Sequence, residues 1–185
     1  MTTLEYAGDR IGTVSEQRRA AARRARRALS HESVLILGME TSCLGGGFLV
    51  ELALIDPGGT IRMNTLVNPR TSIDPAAARH HGLTDSMVTG APHFGQILPD
   101  LIQITTGCVV ATYNGTAAFD VLLDESHRAA LDSEHLEDPT SWRSIAQLRS
   151  QWLGRPDHYL PLPPTSRAIG QCRACLSVLR DIAAD

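Results

Sequence analysis

The chain has 185 residues, 43% of them hydrophobic and 20% charged, with a formal net charge of −3. That length supports one domain with a real core and is short for two, and the composition is that of a soluble globular protein rather than a disordered or membrane-spanning one. The near-neutral balance excludes neither nucleic acid nor small molecules as partners, so the distribution of charge has to carry that question.

All 17 residues of the Lys/Arg class are Arg, and six of them fall between Arg18 and Arg27. The stretch "SEQRRAAARRARRALS" predicts a helix, because Ala and Arg are strong helix formers, yet it has little apolar surface to bury by itself. Residues 1–31 are therefore expected to form an Arg-rich arm, solvated or touching phosphates or an acidic protein partner, ahead of one domain over 32–185. There is no apolar stretch like that of a secretory signal and no run of about 18 apolar residues, so no membrane segment is expected and the expected location is cytoplasmic.

"SVLILG" is a short apolar run of the buried-strand type. "GFLVELALIDPGG" alternates and ends in a turn, and "TIRMNTLVNP" follows, so the three predict an antiparallel meander. "DPAAARHHGLTDSMV" predicts a short helix, a Gly break and a helical turn from about Thr84. "HFGQILPDLIQIT" has helical spacing despite Pro99, "GCVVATYN" is a buried strand, and "TAAFDVLLDESHRAALD" an amphipathic helix. "SWRSIAQLRSQW" predicts a helix, "GRPDHYLPLPP" a Pro-rich loop, and "SRAIGQCRACLSVLRDIAA" a closing helix. The order of elements predicts an α/β domain with a mixed sheet. Of the four cysteines, Cys43 and Cys108 stand alone. Cys172 and Cys175 form a CxxC in a helical pattern, with no second pair to complete a zinc site; they are either buried small residues or a redox pair.

"LGMETSCL", "AARHHGLTDSMVTGAPHFGQILPDL", "TYNGTAAFDVLL" and "SRAIGQCRACLSVLR", taken in this order, resemble the DEDDh 3′–5′ exonucleases, the family of the DnaQ proofreading subunit and RNase T. The resemblance spans roughly Ser33 to Ala183. It implies an RNase H-like (DnaQ-like exonuclease) fold, with a mixed sheet and helices on both faces. Such enzymes hold two divalent metals about 3.5–4 Å apart, which repel unless carboxylates lie around them.

Carried over residue by residue, the resemblance keeps two of five catalytic positions. Glu40 is retained, but the first Asp position is Gly38. Asp120 follows Phe119, with Tyr113 and Asn114 at the family's His-Asn, although Asn114 and Asp120 are about two residues further apart than usual. The general-base His position is Ser166, and the last Asp position is Gln171. The resemblance also places Thr41, Leu44, His81, Asn114 and Phe119 at the nucleotide cleft; a structural role at a helix end is the alternative for His81, as capping the last helix is for Ser166.

Gly38 offers no ligand, Gln171 only a neutral oxygen, and Ser166 has no proton acceptor with a useful pKa near neutrality. Two carboxylates cannot offset two divalent ions in a partly desolvated cleft. No tightly bound cofactor is expected; Glu40 and Asp120 leave room for at most one weakly held Mg²⁺ or Mn²⁺. Asp124 and His158 are the neighbours that could compensate. The leading expectation is a two-metal nuclease that has lost its activity and acts by binding a nucleic-acid 3′ end, a nucleotide-like ligand or a partner. The alternatives are a residual one-metal exonuclease or phosphodiesterase, and a metal-independent enzyme on a small nucleotide-like molecule, with Glu40 as acid or base and Cys43 or Ser166 as nucleophile. Restoring Gly38→Asp, Ser166→His and Gln171→Asp together is expected to create Mg²⁺-dependent cleavage.

Overall fold

The computed structural model describes residues 13–155 and 158–185. A five-stranded sheet in the order β3-β2-β1-β4-β5 organises the chain. The meander is β1 (Val34–Cys43), β2 (Gly46–Ile55) and β3 (Ile61–Leu66), paired antiparallel, while β4 (Val109–Thr112) runs parallel to β1. β1 is thus central, and both its faces are covered, which explains its nearly continuous apolar run. Strand alternation sends Leu35 and Leu37 into one core with the helices α4 (Phe94–Thr105) and α5 (Gly115–Ala129). Ile36 enters the other core, with α7 (Ala168–Ala183) and the N-terminal helix α1 (Val14–Ser30).

The short helices α2 (Pro75–His81) and α3 (Asp85–Val88) lie between β3 and α4, where the Gly break was expected. Gly82, at φ +76°, ends α2 in the left-handed conformation that favours glycine. The region read as one helix over "SWRSIAQLRSQW" divides instead. Trp142–Ser144 forms β5, parallel to β4, and α6 (Ile145–Trp152) follows directly. Trp142 is buried and donates its indole N–H to the Leu136 carbonyl, so tertiary packing overrides helical spacing there.

The Arg-rich helix forms, with Thr13 and Glu16 in a reciprocal capping box. Residues 1–12 of the expected arm lie outside the described residues; from Val14 on, the helix packs on the domain. Ala21, Ala22 and Ala25 are fully buried, because their small side chains let α1 lie close on α6 and α7. Arg18 pairs with Asp185 and stacks on Trp152, while Arg26 donates to the Ala183 carbonyl, fastening α1 to the end of α7. Cys172 and Cys175 are free, buried thiols, both pushed up by burial to about 12. A buried thiol in that state is inert, so the CxxC is packing rather than a redox pair.

Candidate functional site

Gly38 and Glu40 project toward α7. A Cβ built on Gly38 would come 2.2 Å from the Ala168 carbonyl oxygen and 3.1 Å from the Cys172 sulfur. The missing side chain is therefore what lets the first turn of α7 press onto β1. One turn later Gln171 bridges the strand: it accepts from the Met39 amide at 3.2 Å and donates to Glu40 at 2.8 Å. Across the antiparallel pair, Glu40 stands opposite Glu51 of β2. Glu51 is buried and held by the Arg167 guanidinium at 2.8 Å and by the Ala168 amide at 2.8 Å, so a strand carboxylate caps α7 from outside the helix. Burial pushes the Glu40 carboxyl up to about 7; the Gln171 amide opposes the shift, and the Glu51 charge adds to it.

Beside this packed seam lies an open cleft of about 400 Å³. Its floor is Met39, Thr41, Thr112 and Tyr113; Asn114, Ala117 and Val121 form the α5 wall, and Leu162 to Thr165 form the rim. The Tyr113 hydroxyl donates to the Leu160 carbonyl, and Arg149 donates both to that hydroxyl at 3.1 Å and to the Pro161 carbonyl at 3.2 Å. The Pro-rich loop is thereby tied over one end of the cleft. At the other end Gly45, Gly46 and Gly47, all at positive φ, turn β1 into β2.

The residues picked from sequence separate on this frame. Thr41, Asn114 and Gln171 line the cleft. Glu40 sits behind Gln171 and is only 5% exposed. Asp120 is exposed on α5 and is not part of the cleft wall. With the usual spacing from Asn114 the acid would fall at Ala118, which does line the cleft. Phe119 is half-buried and packs edge-on against Trp142, at 5.9 Å between ring centres, at the margin of the core. Leu44 is 60% exposed at the hairpin tip, outside the cleft. His81 is buried and structural: Nδ1 accepts from the Leu83 amide at 3.0 Å, and Nε2 meets the Thr41 carbonyl at 3.3 Å. Burial holds its pKa below the ordinary value, so the imidazole is the neutral form those bonds need.

Ser166 is exposed and neither lines the cleft nor caps α7, a task taken by Glu51. Asp124 and His158 are exposed and do not line the cleft either. Sequence reasoning missed His80, Ala117 and Thr165, all of which line it. His80 had a signal, being the other half of the His-His pair; the other two have no chemical signature.

The sequence model of the RNase_T exonuclease family matches residues 40–163, about two thirds of the chain. The chain belongs to this exonuclease family. An uncharacterized exonuclease of Escherichia phage 186, CP81, is 40% identical over 77 residues, which is 41% of this chain and 39% of the phage protein's length. Exonuclease X, solved with 5′-overhanging duplex DNA, superposes with a TM-score of 0.54 at 24% identity over 82% of this chain and 91% of that one. The nuclease domain of 3′hExo, a DEDDh family member bound to rAMP, gives 0.55 at 16% identity over 82% and 94%. E. coli Exonuclease I with a dT13 oligonucleotide gives 0.64 at 12% identity, over 82% of this chain but only 41% of that enzyme. These similarities establish the RNase H-like exonuclease fold. The family match itself ends before Ser166 and Gln171.

The donor set does not suit the two divalent metals of such exonucleases. Glu40 and Gln171 are the adjacent oxygen donors, Glu51 is committed to Arg167 and the α7 amide, and Asp120 is exposed and outside the cleft lining. Among the described residues no group of three or more His, Cys, Asp or Glu converges. Also among them, no helix is long and apolar enough to cross a membrane.

Proposed function

We propose that this exonuclease-family chain binds a nucleic-acid 3′ end or a nucleotide-like ligand in the cleft floored by Met39 and Thr41, without two-metal hydrolysis. The contact of Gly38 with the Ala168 carbonyl carries this reading. It fills the place from which a ligating side chain would project, and Gln171 occupies the next position with an amide already bonded at both ends. The triple restoration expected from sequence runs into the same contact, since an Asp at 38 requires the α7 backbone to move. Binding needs none of the lost groups: Tyr113 offers an aromatic face, and Thr41 and Asn114 offer hydrogen-bonding groups, within a volume of nucleotide size.

A labelled single-stranded oligonucleotide incubated with the full chain and Mn²⁺ tests the proposal. The expected result is a gel shift with no shortening from the 3′ end, weakened by Asn114→Ala. Shortening that chelation abolishes would overturn it. Glu40 favours a second reading, metal-independent acid–base chemistry on a small nucleotide-like molecule, because its carboxyl titrates near 7. That reading requires Gln171 to swing away, and it predicts turnover that chelation leaves intact and Glu40→Gln removes. The one-metal alternative predicts instead Mn²⁺-dependent shortening that Glu40→Gln and Asp120→Asn each remove.

A further inference from the structure

A second and larger cleft, of about 690 Å³, opens where α1 faces the β5–α6 junction. It shares no lining residue with the first. Arg24, Arg27 and His31 contribute from α1 and its end, Arg143 from the edge strand β5, and no Asp or Glu lines it among the described residues. The floor is apolar, built from Val34, Val109 and Leu148.

The arginines of α1 divide by role. Arg18 and Arg26 fasten the helix to the C-terminal end of the chain. Arg24 and Arg27 turn to the cleft instead. Arg24 reaches across to Gln151 of α6 at 3.1 Å, which sets the spacing of the two walls. Arg143 is braced through one nitrogen, which donates to the Thr140 and Trp142 carbonyls at 2.7 Å each, leaving its other donors without a partner among the described residues. The guanidinium of Arg27 has none either. Gathering these like charges around one cavity is unfavourable unless an anion offsets them, and a guanidinium fork suits a phosphate or carboxylate. Three guanidiniums favour a dianion over a single carboxylate. The apolar floor suits a flat or aliphatic body attached to that dianion, and the volume lies in the range of small-molecule sites.

We infer that the cleft between α1 and the β5–α6 junction is a binding site for a phosphate monoester with an apolar or planar body, its phosphate held by Arg27 and Arg143 and its body lying on Val109 and Leu148. The site is separate from the Met39–Thr41 cleft and does not depend on what that cleft binds. An acidic peptide fits less well, because the arginines converge on one cleft flanked by α1 and α6 rather than running along a strip.

Calorimetric titration of the full chain with AMP tests it, alongside adenosine, inorganic phosphate, citrate and an oligoglutamate peptide. AMP is expected to bind in a salt-sensitive manner, more tightly than any of the other four. Arg27→Ala, an exposed position, is expected to raise its Kd about tenfold, and Arg27→Glu to abolish the AMP binding that persists in Asn114→Ala, with thermal melts unchanged. Asn114→Ala, in the other cleft, is expected to leave that Kd unaltered. The inference fails if AMP does not bind or if both Arg27 variants bind it like the parent. It fails equally if phosphate or adenosine alone matches AMP, or if citrate or the acidic peptide binds more tightly.

Discussion

The two flanks of β1 at its C-terminal half differ in how they are filled. On the α7 flank, Gly38, Glu40 and Gln171 meet the helix directly, and every polar group in the seam has a partner. On the α5 flank, Ala117, Ala118 and Val121 stand back and leave a cleft. In this fold the open flank is available to a ligand, whereas the closed one has become core. No hole is left beside Gly38: the backbone of α7 and the Gln171 amide take up the space.

Five substitutions break or sharpen that contrast. Arg167→Met leaves the buried Glu51 carboxylate without its cation. It should cost about 3 kcal/mol, and roughly 10 °C in a calorimetric melt, even though the Ala168 amide still donates to Glu51. Gly38→Ala drives a methyl into the Ala168 carbonyl and should cost about 2 kcal/mol by urea unfolding, whereas Ala117→Ser, of similar size change on the open flank, should stay within about 0.5 kcal/mol. Equal costs at the two positions would erase the contrast.

Glu40→Gln tests the seam through pH. The folded carboxyl, at about 7, holds its proton more tightly than the unfolded one, whose ordinary value is 4.5. Between those values the folded state binds more protons, so the Glu40 contribution to stability is present below about pH 4.5, falls as pH rises to 7, and is flat beyond. Urea unfolding at a series of pH values should show the Gln variant gaining on the parent through that window. A constant difference would mean that Glu40 is charged throughout. Asp120→Asn should be the smallest effect: no measurable change in melting temperature or in oligonucleotide binding, as expected of an exposed residue outside the cleft.

Much of the fold was legible in the chain. The meander, the apolar strand β4, the helix around Phe119 and the closing helix all follow from periodicity and turn residues, and the ordered motifs point to the family. β5 was not legible, because three residues that pair with β4 and bury Trp142 look locally like the start of α6. The places of His81 and Phe119 were not legible for a related reason. A His beside a Gly and a Phe before an Asp carry the same letters whether they face a ligand or the core, and only the direction of the side chain separates the cases.

Sequence alone determined that the carboxylates at 38 and 171 are absent, since no folding restores a charge the chain does not encode. Tertiary structure decided what surrounds those two positions. The approach of α7 to Gly38, the pairing of Glu51 with Arg167 and the turn of Asp120 to the surface depend on distances between segments more than a hundred residues apart, or on rotation about a helix axis. Local pattern holds neither kind of information, because packing is settled by shape and burial across the whole sheet.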